Sequence, residues 1–161
     1  MLVVEGNIWA VARESRSSVI IPTNIGWRDS DGHAVMGRGL AMQAKRRYPA
    51  LPAWYGDLCR RFKGETGVCM YHELILFPVK PLCVPAPWRS WMGPATVSLI
   101  ARSLSQLVMY SPAEPRNFLL PTVGCGNGGL TLAEVRPLLD KYLGARDDMI
   151  LVLLPGEDHD G

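Results

Sequence analysis

The sequence predicts an α/β protein with three layers, in which helices cover both faces of a mixed, mainly parallel central sheet. Short β-branched and aliphatic runs alternate along the chain with longer segments of helical periodicity. This alternation is typical of parallel strands joined by helices. Glycine-rich segments follow two of the runs. The 161 residues are expected to form one domain, residues 1–155, and a short, frayed tail at 156–161.

The first half of the chain predicts three strands and two helices. "MLVVEGN" at the start is expected to add an edge strand, and "SVIIPT" (18–23) predicts a buried one. "GLAMQAKRRYP" (39–49) has helical periodicity and ends at a proline, which stops a helix. "LPAWYGDLCRRF" (51–62) predicts a second, short helix, and "MYHELILFPV" (70–79) predicts the third strand.

The second half continues the same alternation after a proline-rich loop at 80–94, whose length is typical of functional or mobile loops. "ATVSLIARSLSQLVMYS" (95–111) predicts a long amphipathic helix, and "NFLLPTV" (117–123) a strand. "TLAEVRPLLDKYL" (131–143) predicts the last helix, and "MILVLLP" (149–155) the last strand. Strands and helices therefore alternate to the end of the chain.

Composition limits the classes of function. The net charge is +2 and the four cysteines form no CxxC pair, so we expect neither a metal site nor a disulfide framework. No apolar run reaches the ~18 residues of a membrane span, and the N-terminus lacks the basic start of a signal peptide. We therefore expect a cytoplasmic protein with reduced thiols, no membrane association and no cofactor.

Two glycine segments precede predicted helices. In "TVGCGNGGL" (122–130) four glycines follow a strand, and Thr131 with Glu134 forms a capping-box pattern just past them. In "VMGRGLAMQA", Gly37 and Gly39 also precede a helix. Helix N-termini present free N–H groups and positive potential, which suit phosphate. Both segments are expected at the carboxyl edge of the sheet, so they predict a diphosphate held between them.

Two other nucleotide sites fit the sequence less well. No GxxxxGK[ST] is present, which argues against the phosphate loop of an ATPase. Gly124, Gly126 and Gly129 do satisfy GxGxxG, the fingerprint of dinucleotide-binding folds. That fingerprint belongs to the first strand–helix turn, however, and only one helix and one strand follow it here. A lone match is a weak indication.

Several motifs in this order and spacing resemble the macrodomain family: "VIIPTNIGW", "AVMGRGLAMQAKRRYP", "LILFPVK" and "LPTVGCGNGGL". The branch that the chain resembles is that of the DarG-type antitoxin macrodomains, related to hydrolases that remove ADP-ribose from acidic residues. The resemblance covers essentially the whole chain and is weakest at 81–94. It implies the three-layer α/β/α macrodomain fold, with an ADP-ribose pocket across the carboxyl edge of the sheet.

The resemblance also implies which residues bind the ligand. Asn7 and Ile8 lie in the segment that reads the adenine, where Asn7 in place of the common aspartate still offers an amide oxygen. Asn24 corresponds to the asparagine at the distal ribose. The remaining positions form the two diphosphate loops: Gly37, Arg38, Gly39, Gly124, Cys125, Gly126, Asn127, Gly128, Gly129 and Leu130. A bulky residue at Gly128 is expected to abolish binding while leaving the fold intact.

Lys80 corresponds to the catalytic lysine of the DarG-like branch. Its neutral amine would attack the anomeric carbon of the distal ribose, or its ammonium would polarise the scissile bond as an acid. Attack requires a lowered pKa, because an ordinary lysine, at about 10.4, is protonated at neutral pH. Hydrolases of acidic-residue esters pair this lysine with an aspartate in the second loop, whereas Asn127 stands in that segment here.

Three functions are compatible with these residues: a hydrolase that releases ADP-ribose, a non-catalytic ADP-ribose-binding module, and a phosphatase of ADP-ribose 1''-phosphate. Lys80 favours the hydrolase. Trp88, Arg89 and Trp91 are suited to stacking on an unpaired base, so a DNA base is favoured over protein. Basic clusters at 45–47 and 60–63 would add attraction to a phosphate backbone. The expected partner of this monomer is thus ADP-ribose or an ADP-ribosylated macromolecule.

Overall fold

A computed structural model describes residues 1–155, and the predicted tail at 156–161 lies outside the described residues. Six strands form one sheet in the order β1-β6-β5-β2-β4-β3. The strands are β1 (Leu2–Glu5), β2 (Ser17–Asn24), β3 (Cys69–Tyr71), β4 (Leu74–Lys80), β5 (Asn117–Leu120) and β6 (Met149–Leu153). All neighbours are parallel except β3 and β4. The predicted mixed, mainly parallel sheet is confirmed.

The described chain also forms five α-helices, and none of them is long and apolar enough to cross a membrane. They are α1 (Ile8–Glu14), α2 (Gly39–Arg47), α3 (Leu51–Phe62), α4 (Val97–Leu107) and α5 (Leu132–Leu143). Single 3₁₀ turns occur at Pro87–Met92 and Gly126–Gly128. The predicted helices at 39–49, 51–62 and 131–143 are confirmed within two residues at each end.

The helices form two layers because successive strand residues point to opposite faces of the sheet. Ile20 of β2 and Phe77 of β4 belong to a core cluster with residues of α4 and α5. Ile21 and Leu76, their neighbours along the same strands, belong to a second cluster with residues of α1, α2 and α3. Strands buried on both faces read as continuous apolar runs, which is the pattern seen in the sequence.

Several elements differ from the sequence prediction. Helix α1 was not expected. The single strand predicted at 70–79 is wrong: β3 and β4 form an antiparallel hairpin, with His72 at φ 54° in the turn between them. The long helix predicted at 95–111 covers only Val97–Leu107, and the last two strands end two or three residues early. Local periodicity does not resolve tight turns made without glycine or proline.

The two central strands β2 and β4 place the site. Their pairing shifts by one residue near the end: Thr23 lies opposite Pro78, but Asn24 lies opposite Lys80, so Val79 is skipped. The N–H group of Ile25 donates to Lys80 O at 3.2 Å and extends the contact past the strand. Asn24 and Lys80 therefore leave the sheet side by side at its carboxyl edge.

Candidate ligand and catalytic site

A cavity of about 1020 Å³ lies at the carboxyl edge of the sheet. Most residues that the sequence assigned to a ligand site line it: Asn24, Gly37, Arg38, Gly39, Lys80, Gly124, Cys125, Gly126, Asn127, Gly128 and Leu130. Gly129, Asn7 and Ile8 are not part of this lining. Trp91 and Met92, from the 3₁₀ turn Pro87–Met92, complete the wall beside Lys80. No group of three metal-binding side chains occurs in residues 1–155.

The first glycine loop (residues 37–39) is exposed and leads into α2. Arg38 is the N-cap residue of α2, and its side chain makes no capping hydrogen bond. The segment before the loop is held by Asn24, whose Nδ2 donates to Val35 O at 2.9 Å while its Oδ1 accepts from Gly26 N–H at 3.1 Å. The first N–H groups of α2 thus have no side-chain cap, which suits an anionic ligand.

The second glycine loop (residues 124–130) closes on itself. Leu130 N–H donates to Gly124 O at 3.0 Å, and Ala95 N–H donates to Gly128 O at 2.9 Å. The predicted capping box is present, so the N–H groups of Thr131 and Glu134 at the start of α5 are satisfied by side chains. Among residues 124–130, the N–H groups of Cys125, Gly128, Gly129 and Leu130 donate to backbone carbonyls, whereas those of Gly124, Gly126 and Asn127 make no loop hydrogen bond of comparable geometry.

The two loops approach each other across the cavity. A Cβ atom built on Gly39 would lie 3.7 Å from Asn127 Nδ2, with nothing else within 4 Å. Backbone N–H groups from both sides therefore border one narrow space. Oriented backbone amides form concave anion sites of this type.

Lys80 leaves the end of β4 half-buried in the cavity wall. Its Nζ donates a hydrogen bond to Trp91 O at 2.6 Å. Desolvation by burial lowers the pKa of Lys80, and the nearby positive charge of Arg38 lowers that pKa further. The guanidinium of Arg38 also lies over the Trp91 ring, 5.3 Å from its centroid. Lys80, Arg38 and Trp91 therefore form one group at the mouth of the cavity.

The 3₁₀ turn that carries Trp91 is packed closely against the sheet edge. Ser90 is buried, and its Oγ accepts a hydrogen bond from Cys83 N–H at 2.8 Å. Gly26 is needed beneath the turn, because a Cβ atom there would overlap Pro87 O and lie 2.6 Å from Ser90 Cβ. The position of the Trp91 carbonyl, and hence of Lys80 Nζ, is set by this packing. No sequence pattern indicates that Gly26 and Ser90 support the site.

Asn7 has a local role at the start of α1. Its Oδ1 accepts from the N–H groups of Trp9 and Ala10 at 3.0 and 3.2 Å, so both lone pairs are used and Nδ2 is the part of the amide left for a ligand. Gly6 N–H donates to Leu153 O, which brings the segment beside Leu154 in the cavity wall. Ile8 is buried. The role of Asn7 and Ile8 at an adenine stays a prediction.

Comparison with known proteins identifies several of similar sequence. No family model matches the chain. Proteins named DNA ADP-ribosyl glycohydrolase are similar to it. The Mycobacterium tuberculosis protein is 28% identical over 131 residues, 75% of this chain and 35% of the relative. The Thermus aquaticus protein is 29% identical over 118 residues, 69% of this chain and 31% of the relative. The chain thus spans about a third of the length of these curated relatives.

Comparison with solved structures identifies proteins of the same fold. The macrodomain of Mycobacterium tuberculosis DarG matches with a TM-score of 0.71 at 23% identity, over 97% of this chain and 99% of that one. The macrodomain of Thermus aquaticus DarG matches with 0.69 at 25% identity, over 95% and 96%. Thermosipho africanus DarTG in complex with ADP-ribose matches with 0.69 at 21%, over 98% and 43%.

The fold is therefore that of a macrodomain. Within that class, the named relatives and the matched structures support a DarG-type macrodomain, which confirms the resemblance found in the sequence.

Proposed function

We propose that the chain binds ADP-ribose between its two glycine loops and hydrolyses it from a modified DNA base, with Lys80 as the catalytic residue. The observation that carries the proposal is a lysine of lowered pKa, fixed by Trp91 O, in the same cavity as both loops. Two similar proteins are named DNA ADP-ribosyl glycohydrolase, and a matched structure contains ADP-ribose. These names support the same chemistry here.

Binding would use the backbone more than side chains. The diphosphate would lie between the N-terminus of α2 and the N–H groups of Gly126 and Asn127, where no carboxylate would repel it. Asn24 retains one N–H and one lone pair after its two internal hydrogen bonds, and these suit a ribose hydroxyl. The distal ribose would then lie beside Lys80, which is opposite Asn24 in the sheet.

The reaction breaks the bond between the anomeric carbon and the base nitrogen. Water supplies a hydroxyl to the carbon and a proton to the departing nitrogen. A neutral Lys80 amine would attack the carbon first and be displaced by water, whereas a charged Lys80 would donate the proton to the leaving base. Its lowered pKa raises the neutral fraction of Lys80 in the free protein, and a bound diphosphate would act in the opposite direction.

Two features support a base rather than a carboxylate ester as the leaving group. Asn127, not a carboxylate, stands in the second loop and lines the cavity. Trp91 lies in the wall beside Lys80 with the Arg38 guanidinium on its ring, a surface on which a base can stack. Trp88 and Arg89 pair with each other at 4.8 Å outside the cavity lining, so Trp91 carries the stacking proposal.

A non-catalytic binding module is the alternative, because the two-residue lysine–aspartate arrangement of the ester hydrolases is absent from the described loops. Action as a phosphatase of ADP-ribose 1''-phosphate would use the same cavity. Turnover measurements distinguish the hydrolase, the binding module and the phosphatase. A cytoplasmic location and a monomeric state are further proposals.

The first test replaces Lys80 with alanine. We expect ADP-ribose affinity to stay within a few-fold, while release of ADP-ribose from modified DNA falls by about 100-fold or more. Calorimetry and single-turnover assays measure the two quantities. Lys141→Ala, an exposed lysine in the last turn of α5 that does not line the cavity, is the matched control and should behave like the wild type. Normal turnover by Lys80→Ala would reject a catalytic role for Lys80, whereas a wild type without turnover would favour the binding module.

The second test compares substrates. ADP-ribosylated single-stranded DNA and a protein ADP-ribosylated on glutamate are each incubated with the wild-type chain. We expect faster release from DNA, with a rate that falls as salt rises. Faster release from the protein would reject the DNA assignment. Release of phosphate from ADP-ribose 1''-phosphate alone would favour the phosphatase.

A further inference from the structure

A second, smaller cavity of about 270 Å³ shares a wall with the main one. Val35, Met36 and Gly37 line both cavities, so occupants of the two would be separated by one backbone segment. Arg28, His33 and Lys45 also line the smaller cavity. None of these three side chains has a role in the proposed reaction.

The charged side chains around this cavity differ in whether they have an ion-pair partner. Arg28 is paired with Asp31, whose two oxygens accept from Nε at 3.2 Å and Nη2 at 2.6 Å. His33 N–H also donates to Asp31 Oδ1 at 3.0 Å, so the carboxylate is fully engaged in its own turn. Lys45 is half-buried in the last turn of α2 and makes no ion pair within residues 1–155. A partly desolvated cation without a partner favours an anion beside it.

We propose that the smaller cavity binds a backbone phosphodiester of the nucleic-acid strand that carries the ADP-ribosylated base, with Lys45 as the main contact. The inference rests on the proposed function. The volume is below the roughly 300–1000 Å³ of small-molecule pockets, so it suits a phosphate and the edge of its sugar rather than a whole nucleotide. The shared wall places that phosphate next to the nucleotide whose modification enters the main cavity. Contacts of this type position a strand without reading its sequence.

The alternative explanation for Lys45 is purely structural: a cation in the last turn of a helix stabilises that helix by interacting with the helix dipole. Lys141 occupies the same place in α5 and lines neither cavity, so it provides a matched control. Both explanations predict a small loss of stability for Lys45→Gln. Only the phosphate contact predicts a loss that depends on the length of the substrate.

The experiment measures kcat/KM for the wild type, Lys45→Gln and Lys141→Gln on two substrates, an ADP-ribosylated mononucleoside and a single-stranded oligonucleotide carrying the same modified base. We expect Lys45→Gln to lose up to about fivefold on the oligonucleotide at low salt, the effect of one screened ion pair. The slope of log kcat/KM against log salt should become shallower by about one. Turnover of the mononucleoside should not change, and Lys141→Gln should match the wild type throughout.

The outcomes are distinct. An inactive wild type on both substrates would reject the proposed hydrolase itself. An active wild type with an unchanged salt slope in Lys45→Gln would reject the phosphate site alone, as would equal losses on both substrates. Lys45 dependence found only with an ADP-ribosylated protein would assign the cavity to an acidic protein surface. If Lys45→Gln lowers Tm strongly, Lys45→Arg should restore the slope because it restores the charge.

Discussion

The first glycine loop is exposed and has open space at Gly37, whereas the second is folded into the core at two of its glycines. A Cβ atom on Gly37 would meet nothing within 4 Å. One on Gly124 would lie 2.5 Å from Ile100 Cδ1, and one on Gly128 would lie 2.9 Å from Ala95 Cβ. Gly124 also has φ 79°, a conformation that side chains disfavour.

The helices behind the loops differ in the same way. Helix α2 begins without a side-chain cap, and helix α5 begins with a complete capping box. Glycine thus leaves space free for a ligand at Gly37, while at Gly124 and Gly128 it allows the chain to pack against Ile100 and Ala95. A glycine-rich sequence alone does not distinguish these two uses. The comparison can be tested by changing one loop at a time.

The largest effect is expected from Gly37→Leu. The backbone at Gly37 is outside the left-handed region and its surroundings are open, so the free energy of unfolding should stay unchanged. A branched side chain at the first loop should block the close approach of the diphosphate and weaken ADP-ribose binding by about 100-fold, or roughly 2.7 kcal/mol. Calorimetry and denaturant unfolding check the two halves, with Gly37→Ala as an intermediate step. Tight binding by Gly37→Leu would remove the first loop from the site.

The second loop should respond to Gly124→Ala through stability. Left-handed strain and contact with the buried Ile100 side chain should lower the free energy of unfolding by about 2 kcal/mol. Urea unfolding measures this loss. A bulky residue at Gly128 is also expected to destabilise the fold, contrary to the expectation from sequence, because a Cβ atom there would already lie 2.9 Å from Ala95 Cβ. An unchanged midpoint for Gly124→Ala would show that the second loop is as open as the first.

A smaller loss is expected from Glu134→Ala. Its carboxylate accepts from Thr131 N–H at 2.7 Å, so removing it should cost about 0.5–1 kcal/mol of stability. ADP-ribose affinity should change less than about threefold, because the capping box already engages the N–H groups of Thr131 and Glu134. Thermal unfolding and calorimetry on the same sample test both statements. A clear gain in affinity would show that the diphosphate does sense the α5 terminus.

The smallest effect concerns pH. Desolvation lowers the pKa of Lys80 most, and the positive charge of Arg38 in the first glycine loop lowers that pKa further. Arg38→Ala should therefore raise the pKa of Lys80. If the neutral amine attacks, the alkaline rise of kcat/KM should move to higher pH; if the ammonium donates a proton, the alkaline fall should move to higher pH. Arg89→Ala, in the 3₁₀ turn but outside the cavity lining, is the control. An unmoved profile would remove Arg38 from this role.

Much of the fold could be predicted because its signals are local. The runs at 18–23 and 131–143 carry their periodicity and, for α5, a capping box within a few residues. Helix α1 was missed because it has only seven residues and depends on distant contacts: Trp9 Nε1 donates to Gln43 Oε1 at 2.6 Å, and Arg47 lies 3.9 Å from the Trp9 ring centroid. Short helices gain most of their stability from such packing.

In the candidate site, likewise, the functional residues could be predicted but the contacts that support them could not. The glycine loops could be placed at one sheet edge from their position after strands, and Asn24 and Lys80 could be assigned to the site through the resemblance to macrodomains. The support around Lys80 could not be predicted, because the contact of Gly26 with Ser90 joins residues from different loops. The basic cluster at 60–63 is partly paired: Arg60 and Arg61 both lie within 4 Å of Asp57, at 3.7 and 3.3 Å. Sequence identifies the chemical groups, and tertiary contacts decide which remain available.

The skipped residue Val79 makes the site depend on spacing as well as on residue type. Deleting it would keep Lys80 opposite Asn24 in an unbroken ladder. Neighbours along a strand point to opposite faces, however, so the lysine would be turned away from its present face. A protein with every motif intact would then lack the arrangement at the sheet edge. A designer who transplants this site must copy the irregularity between the two strands together with the residues that flank it.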